Sequence, residues 1–327
     1  MYYSYAELRE RMNAMGRRRQ PFLWGIDFMC ERGFLLDDPY KESDILWNIN
    51  GKGNDGDAAA TPPPSMRILQ AISRKEYRDM FATVRHGLLR GDSFLTNLTA
   101  PTLIGLKGSL KDVFLHSRAP FRLLIGDEFV CFSPEPFVRI KGNMISTFPM
   151  KGTADASLPD AEKLLMENYK ELSEHFTITD LMRNDLNSIA EDVEVARFRY
   201  VERIPTASGE ILQTSSEIRG RIPEGRELDF GDIILPLLPA GSITGAPKRA
   251  TVDLILKAES APRGWYTGVF GFFDGSEMQS AVMIRCVSRS ADGSLHFHSG
   301  GGITVNSDAD SEYDELIAKV YLTRDKR

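Results

Sequence analysis

Cysteine is scarce in this chain. Cys30, Cys131 and Cys286 are the three among 327 residues, and with no CxxC pair they exclude a disulfide framework and a thiolate zinc site. Buried, reduced thiols in a cytoplasmic protein are the expectation. The five histidines show neither HExxH nor paired spacing, which argues against a zinc enzyme. No GxSxG marks a serine nucleophile. No apolar run approaches the ~20 residues of a membrane helix, and the opening "MYYSYAELRERMNAMGRRRQ" is charged where a secretory signal needs an apolar centre. Positive charge is not in excess either: 40 Lys and Arg stand against 46 Asp and Glu, a net charge of −6, so a polyanion is a poor partner. The basic run Arg17–Arg19 reads as a solvated helix end.

What is present is a chain long enough for a sizeable core, in one large domain or one domain with an appendage. Residues 51–65, "GKGNDGDAAATPPPS", bury little and read as a linker or exposed loop. The strand-like pieces before it, "PFLWGIDF" and "RGFLL", are expected to pair with the main body, which gives an N-terminal segment over 1–64 packed on a catalytic domain over 65–327. Ser73 and Glu76 form a helix-start signature with Gly91 as the stop. A long helical pattern runs from Pro159 through "DLMRNDL", a further helix follows Pro247, and another closes the chain. Strands joined by short turns dominate the rest, so the fold class is α+β with antiparallel pairing, not a βαβ dinucleotide fold.

Three features carry chemistry. Glu171 with Glu174, and Glu312 with Glu315, are spaced three apart, which places each pair on one helix face. A solvated acidic face is the default for such pairs, yet each lies beside apolar positions, and four carboxylates from two helices suit Mg²⁺. "PAGSITGAPKRA" (239–250) and "SGGGIT" (299–304) are small-residue turns. The first lacks the Walker spacing but feeds a helix N-terminus able to bind a carboxylate; the second is either a bulge or a place where a ligand approaches bare backbone. In "STFPMKGTADA" a tight bend holds Lys151. A surface turn lysine is the ordinary reading. As a nucleophile it would have to be neutral, and an unperturbed pKa of ~10.4 makes that rare at pH 7 unless burial or a nearby cation intervenes.

Nine blocks in order, "SPEPF", "PMKGT", "KELSEH", "DLMRNDL", "GSITGAPK", "YTGVFGFFDG", "IRC", "SGGGIT" and "SDADSEYDE", resemble the chorismate-utilising enzymes over roughly 66–325. The resemblance implies a large, mostly antiparallel two-sheet core flanked by helices. "PMKGT" is similar to the lysine-bearing motif of aminodeoxychorismate synthases, where anthranilate synthases carry alanine. It implies Lys151 as covalent nucleophile on chorismate and Glu135 of "SPE" as general acid/base, with ammonia from a glutamine amidotransferase subunit. It further implies Mg²⁺ on Glu174 and Glu315 with Glu171 and Glu312 in support. Substrate contacts would come from Gly152, Thr153, Thr244, Lys248, Tyr266, Arg285 and the backbone of Gly300, Gly301 and Gly302. Gln213 stands where many members have a ring-facing histidine; glutamine cannot carry a proton at neutral pH. The rival readings are an anthranilate- or isochorismate-forming enzyme, and a catalytically silent chorismate-binding subunit.

Overall fold

The computed structural model describes residues 2–56, 62–206 and 209–322. In chain order the strands are β1 (Phe22–Ile26), β2 (Gly33–Leu36), β3 (Ile45–Ile49), β4 (Lys52–Gly53), β5 (Ser65–Gln70) and β6 (Leu95–Lys107). Next come β7 (Phe121–Ile125), β8 (Phe129–Ser133), β9 (Pro136–Lys141), β10 (Met144–Thr147), β11 (Met150–Asp155) and β12 (Glu191–Thr206). The last are β13 (Gly209–Arg221), β14 (Gly245–Ala246), β15 (Val269–Phe273), β16 (Glu277–Val282), β17 (Cys286–Arg289) and β18 (Leu295–Ile303). The helices are α1 (Tyr5–Arg17), α2 (Arg74–Arg90), α3 (Leu110–His116), α4 (Ala161–Glu167), α5 (Tyr169–Asn187), α6 (Phe230–Ile234), α7 (Lys248–Ala258) and α8 (Ala309–Ala318).

Two antiparallel sheets form the body. The first runs β11-β13-β10-β9-β16-β15-β1-β2 with β12 also on β13; the second runs β14-β6-β18-β17-β8-β7-β3-β4 with β5 also on β6. Alternation along β1 shows how they stack. Leu23 enters the core between the sheets with Trp47, Phe121 and Phe270, whereas Phe22, Trp24 and Ile26 turn to the other face, under α1, α5 and α6. A strand buried on both faces reads as a continuous apolar run, and "FLWGI" is one. The second sheet's outer face is covered by α2, α3, α7 and α8 through Phe114, Tyr77, Leu254 and Leu316. The result is a helix–sheet–sheet–helix sandwich. Each fully buried Phe or Leu side chain contributes about 1.5–3 kcal/mol.

Local signals and outcomes differ in one place. Ser73 and Glu76 cap α2 reciprocally and Gly91 closes it at φ +82, as their types imply. The long pattern after Pro159 is not one helix: Asn168 (φ −69, ψ 111) ends α4, and its side chain accepts from the Glu171 N–H to begin α5. An Asn that can cap satisfies the exposed donors of a new helix, and this outweighs continuous periodicity. The N-terminal strands enter both sheets, β1 between β2 and β15 and β3 between β4 and β7. Of the linker, residues 57–61 lie outside the described residues. Cys131 and Cys286, distant in sequence, face each other across β8 and β17. Among the described residues no helix is long and apolar enough to cross a membrane.

Candidate active site

The bend at Lys151 is a bulge. β11 pairs with β13 at Met150↔Ser215 and again at Thr153↔Gln213, so Lys151 and Gly152 together oppose Thr214. A bulge re-aims the side chain it carries. Gly152 sits at φ +82, and a Cβ there would lie 2.9 Å from Glu171 Oε2, so both backbone conformation and space require glycine. The Thr214 hydroxyl donates to the Lys151 carbonyl. Lys151 leaves the ladder toward α5, and its Nζ donates to Glu174 Oε2 at 3.1 Å.

The glycine run of β18 faces this lysine. A Cβ on Gly302 would stand 3.5 Å from Lys151 Nζ, and one on Gly301 would stand 3.2 Å from Glu312 Oε2 and 3.7 Å from Glu315 Oε1. Gly300 has another reason to be bare: a Cβ there would lie 2.6 Å from the Leu98 carbonyl of neighbouring β6. Glu312 and Glu315 of α8 thus lie beside β18, while Glu171 lies beside Gly152 of β11 and Glu174 is linked to β18 through Lys151. A residue the sequence reading passed over completes the set. Lys319, one turn after Glu315, places its Nζ 2.5 Å from Glu315 Oε1 and donates to the Gly300 carbonyl at 2.8 Å. Its i,i+4 spacing from Glu315 was the available signal.

Glu135 follows β8, its N–H donating to Ser133 Oγ and its Oε1 accepting from the Ser242 hydroxyl at 2.6 Å. Burial pushes its carboxyl above the usual range, while the Ser242 hydrogen bond and then the charges of Lys151, Arg285 and Lys319 draw it back. The same cations act on Lys319, which burial pushes down, Glu315 pulls up, and Arg285 and Lys151 push down again. Arg285 itself holds φ +54, a left-handed conformation costly for a residue with a Cβ and concentrated at functional sites. Tyr266 is buried and stacks on His298 with ring centroids 5.0 Å apart; burial raises its phenol. Lys151, Arg285 and Lys319 therefore act together on a carboxyl that burial biases toward its protonated form, and a cluster of cations of this kind suits a carboxylate-bearing ligand.

Four of the sequence-assigned residues are placed elsewhere. Gln213 pairs in register with Thr153 and Glu202, while its neighbours Thr214 and Ser216 reach the Lys151 carbonyl and His175 of α5. Side chains alternate along a strand, so Gln213 and Thr153 belong to the face turned away from Lys151. Thr244 is fully buried and donates to the Ala240 carbonyl. Lys248 binds the Leu237 carbonyl and Asp185 Oδ2, the latter at 2.9 Å, so its charge is matched within the scaffold. That pair gives Asp185 of "DLMRNDL" its role, tying α5 to the start of α7.

The carboxylate donors are of the kind Mg²⁺ takes. Among the described residues, however, no three His, Cys, Asp or Glu side chains converge as they would around an ion, and Lys151 and Lys319 hold an oxygen of Glu174 and Glu315. The donor chemistry fits; a metal would take these oxygens from the lysines.

Against proteins of known sequence, the model of the chorismate binding enzyme family matches residues 32–324. The chain belongs to that family. This chorismate-binding enzyme is 48% identical over 316 residues to a Haemophilus influenzae protein named "Uncharacterized PabA-like protein", covering 96% of this chain and 95% of the relative. It is 32% identical over 303 residues to aminodeoxychorismate synthase component 1 of Klebsiella aerogenes, with 88% of this chain and 64% of that protein covered. Its fold is similar to that of anthranilate synthase component I from Streptococcus pneumoniae at TM-score 0.61 and 25% identity, over 82% of this chain and 60% of that one.

Proposed function

We propose that this chorismate-binding enzyme aminates chorismate at C4 to give 4-amino-4-deoxychorismate, a step toward 4-aminobenzoate and folate. The observation that carries the reading is the bulge that delivers the Lys151 amine to Glu174 and bare Gly302. The unprotonated amine attacks C2 of the ring and the C4 hydroxyl departs, taking a proton from Glu135 to leave as water. Ammonia then adds at C4, the C2–N bond to Lys151 breaks, and the proton lost by the incoming nitrogen returns to Glu135. A carboxyl raised by burial is suited to giving that first proton near neutral pH.

The chorismate carboxylates are held by charge: Arg285 and Lys319 supply cations, Tyr266 a buried phenol, and the Gly300–Gly302 backbone lets the ligand lie close. Glu174 and Glu315 would hold Mg²⁺, with Glu171 and Glu312 in support. Bound there, the metal supplies positive charge for a ring carboxylate. A glutamine amidotransferase subunit is the proposed source of ammonia, and free ammonium salt replaces it in the test.

The test is product analysis from chorismate, Mg²⁺ and ammonium salt, paired with intact-protein mass spectrometry without ammonia. Aminodeoxychorismate, with a chorismate-derived adduct mapped to Lys151, supports the full mechanism. Anthranilate or isochorismate overturns the amination reading, binding without turnover points to a silent subunit, and aminated product with no adduct sinks only the nucleophile role.

A further inference from the structure

Ser242 belongs to a segment held on every side. Thr244 Oγ1 donates to the Ala240 carbonyl at 2.5 Å, Arg263 Nη1 to the Ile243 carbonyl at 3.0 Å, and the Asn97 N–H to the Thr244 carbonyl at 2.8 Å. A Cβ on Gly241 would lie 2.8 Å from Asp185 Oδ2, the carboxylate that pairs with Lys248. Arg263 is in turn fixed by Glu259, both side chains being almost wholly buried. In the middle of this brace the Ser242 hydroxyl has one partner among the described residues, Glu135 Oε1 at 2.6 Å. The Glu135 backbone is also tied at both ends, its N–H to Ser133 Oγ and its carbonyl to the Val282 N–H, each at 3.1 Å. Only the Glu135 side-chain torsions remain, and Ser242 settles them.

We propose that Ser242 is the positioning residue of Glu135: by donating to Oε1 it fixes the carboxyl and confines the transferable proton to Oε2. A protonated carboxyl oxygen is a poor acceptor, so a donor on Oε1 keeps the proton on the other oxygen. This rests on the reading of Glu135 as the acid/base of chorismate amination. The charged groups acting on the carboxyl are Lys151 of β11, Arg285 ahead of β17 and Lys319 at the end of α8, none of which would change with Ser242.

The test compares Ser242→Ala, Ser242→Cys and Ser242→Thr in the full chain. Removing the donor should lower kcat on the order of tenfold with KM little changed. It should also move the alkaline limb of the kcat profile upward, because the lost hydrogen bond favoured the ionised carboxyl. Cysteine, a weaker donor, should fall between, and threonine should restore most of the rate. A second readout needs no turnover: carbon-13 NMR titration of the Glu135 carboxyl, assigned with Glu135→Gln, should show a higher midpoint in Ser242→Ala or, should that variant not fold, in Ser242→Cys. An unchanged midpoint, or a raised KM at unchanged kcat, overturns the proposal. If the wild type yields no aminated product the functional reading falls, and the NMR midpoint alone then decides whether Ser242 governs Glu135.

Discussion

The two glutamate-bearing helices build their halves of the pocket in different ways. α8 carries Glu312 and Glu315 and ends beside their own counter-charge: Lys319 lies one turn on and reaches both Glu315 and the Gly300 carbonyl. α5 carries Glu171 and Glu174, but the cation on Glu174 is Lys151, twenty-odd residues away on a bulged strand. Its neighbouring support is long-range as well. Arg199, buried on β12 at φ +46, donates to the Leu165 and Met166 carbonyls at the end of α4, and its N–H reaches Ser216 Oγ, which also meets His175 Nε2. The α8 half is held by helix spacing, whereas the α5 half depends on the register of an edge strand. A cation four residues along the same helix is placed by helix spacing, whereas one carried on a bulge is placed by strand register.

The largest expected effect separates the two lysines. Lys151→Ala should reduce amination by about three orders of magnitude or more, as loss of a covalent nucleophile does. Lys319→Ala should instead raise the KM for chorismate roughly tenfold to a hundredfold, the size of one charge-assisted hydrogen bond. Steady-state kinetics on both variants would collapse the contrast if the two profiles proved alike.

Metal binding should treat the halves equally. Glu174→Gln and Glu315→Gln are each expected to weaken Mg²⁺ affinity by about tenfold or more, measured by calorimetry without chorismate, since each removes an anionic oxygen. An unaltered isotherm in either variant removes that glutamate from the proposed set. A one-sided effect, on stability, is expected from Arg199→Ala. Leaving the carbonyls of Leu165 and Met166 without their donor should cost about 2 kcal/mol in urea unfolding and lower amination, while leaving the α8 half intact. A loss of stability no larger than that of an exposed arginine such as Arg11→Ala would show that the α4–α5 junction does not depend on it.

The same contrast explains what could be read from the sequence. Glu312 and Glu315 announce themselves by spacing, and Lys319 was recoverable by the same rule. The antiparallel α+β class followed from strand signals joined by short turns, the two-sheet core only from the family resemblance, and the capped start of α2 from Ser73 and Glu76. What stayed hidden depended on register. Gln213 and Thr153 sit close in sequence to residues of the pocket, but a strand's faces are decided by pairing: the bulge at Lys151–Gly152 sets which side chains meet α5. Thr244 and Lys248 were assigned to the ligand by the family resemblance, whereas the partners they meet in the fold are the Ala240 carbonyl and Asp185. The break at Asn168 was hidden by continuous periodicity across it.

The last effect is a pH slope and concerns two buried histidines, one on each side. His175 of α5 is pushed down to about 4 and His298 of β18 to about 3, burial being the main cause in both. Both lie below the ordinary value of about 6.5, so both are neutral in the fold near pH 5 while their unfolded counterparts bind a proton. Their stabilising contribution is therefore complete above pH 6.5 and is lost as pH falls, by about 1.4 kcal/mol per pH unit for each. Each loss levels off once the ring takes its proton in the folded state, well below the ordinary value. Carboxylates also titrate there, so the informative quantity is the difference between wild type and variant. Urea unfolding of His298→Gln, which keeps a polar side chain facing Ser288, should be shallower in pH than wild type by that one-histidine slope between pH 6 and 4. Parallel curves would mean that His298 is already charged in the fold and that its stacking on Tyr266 is not that of a neutral ring.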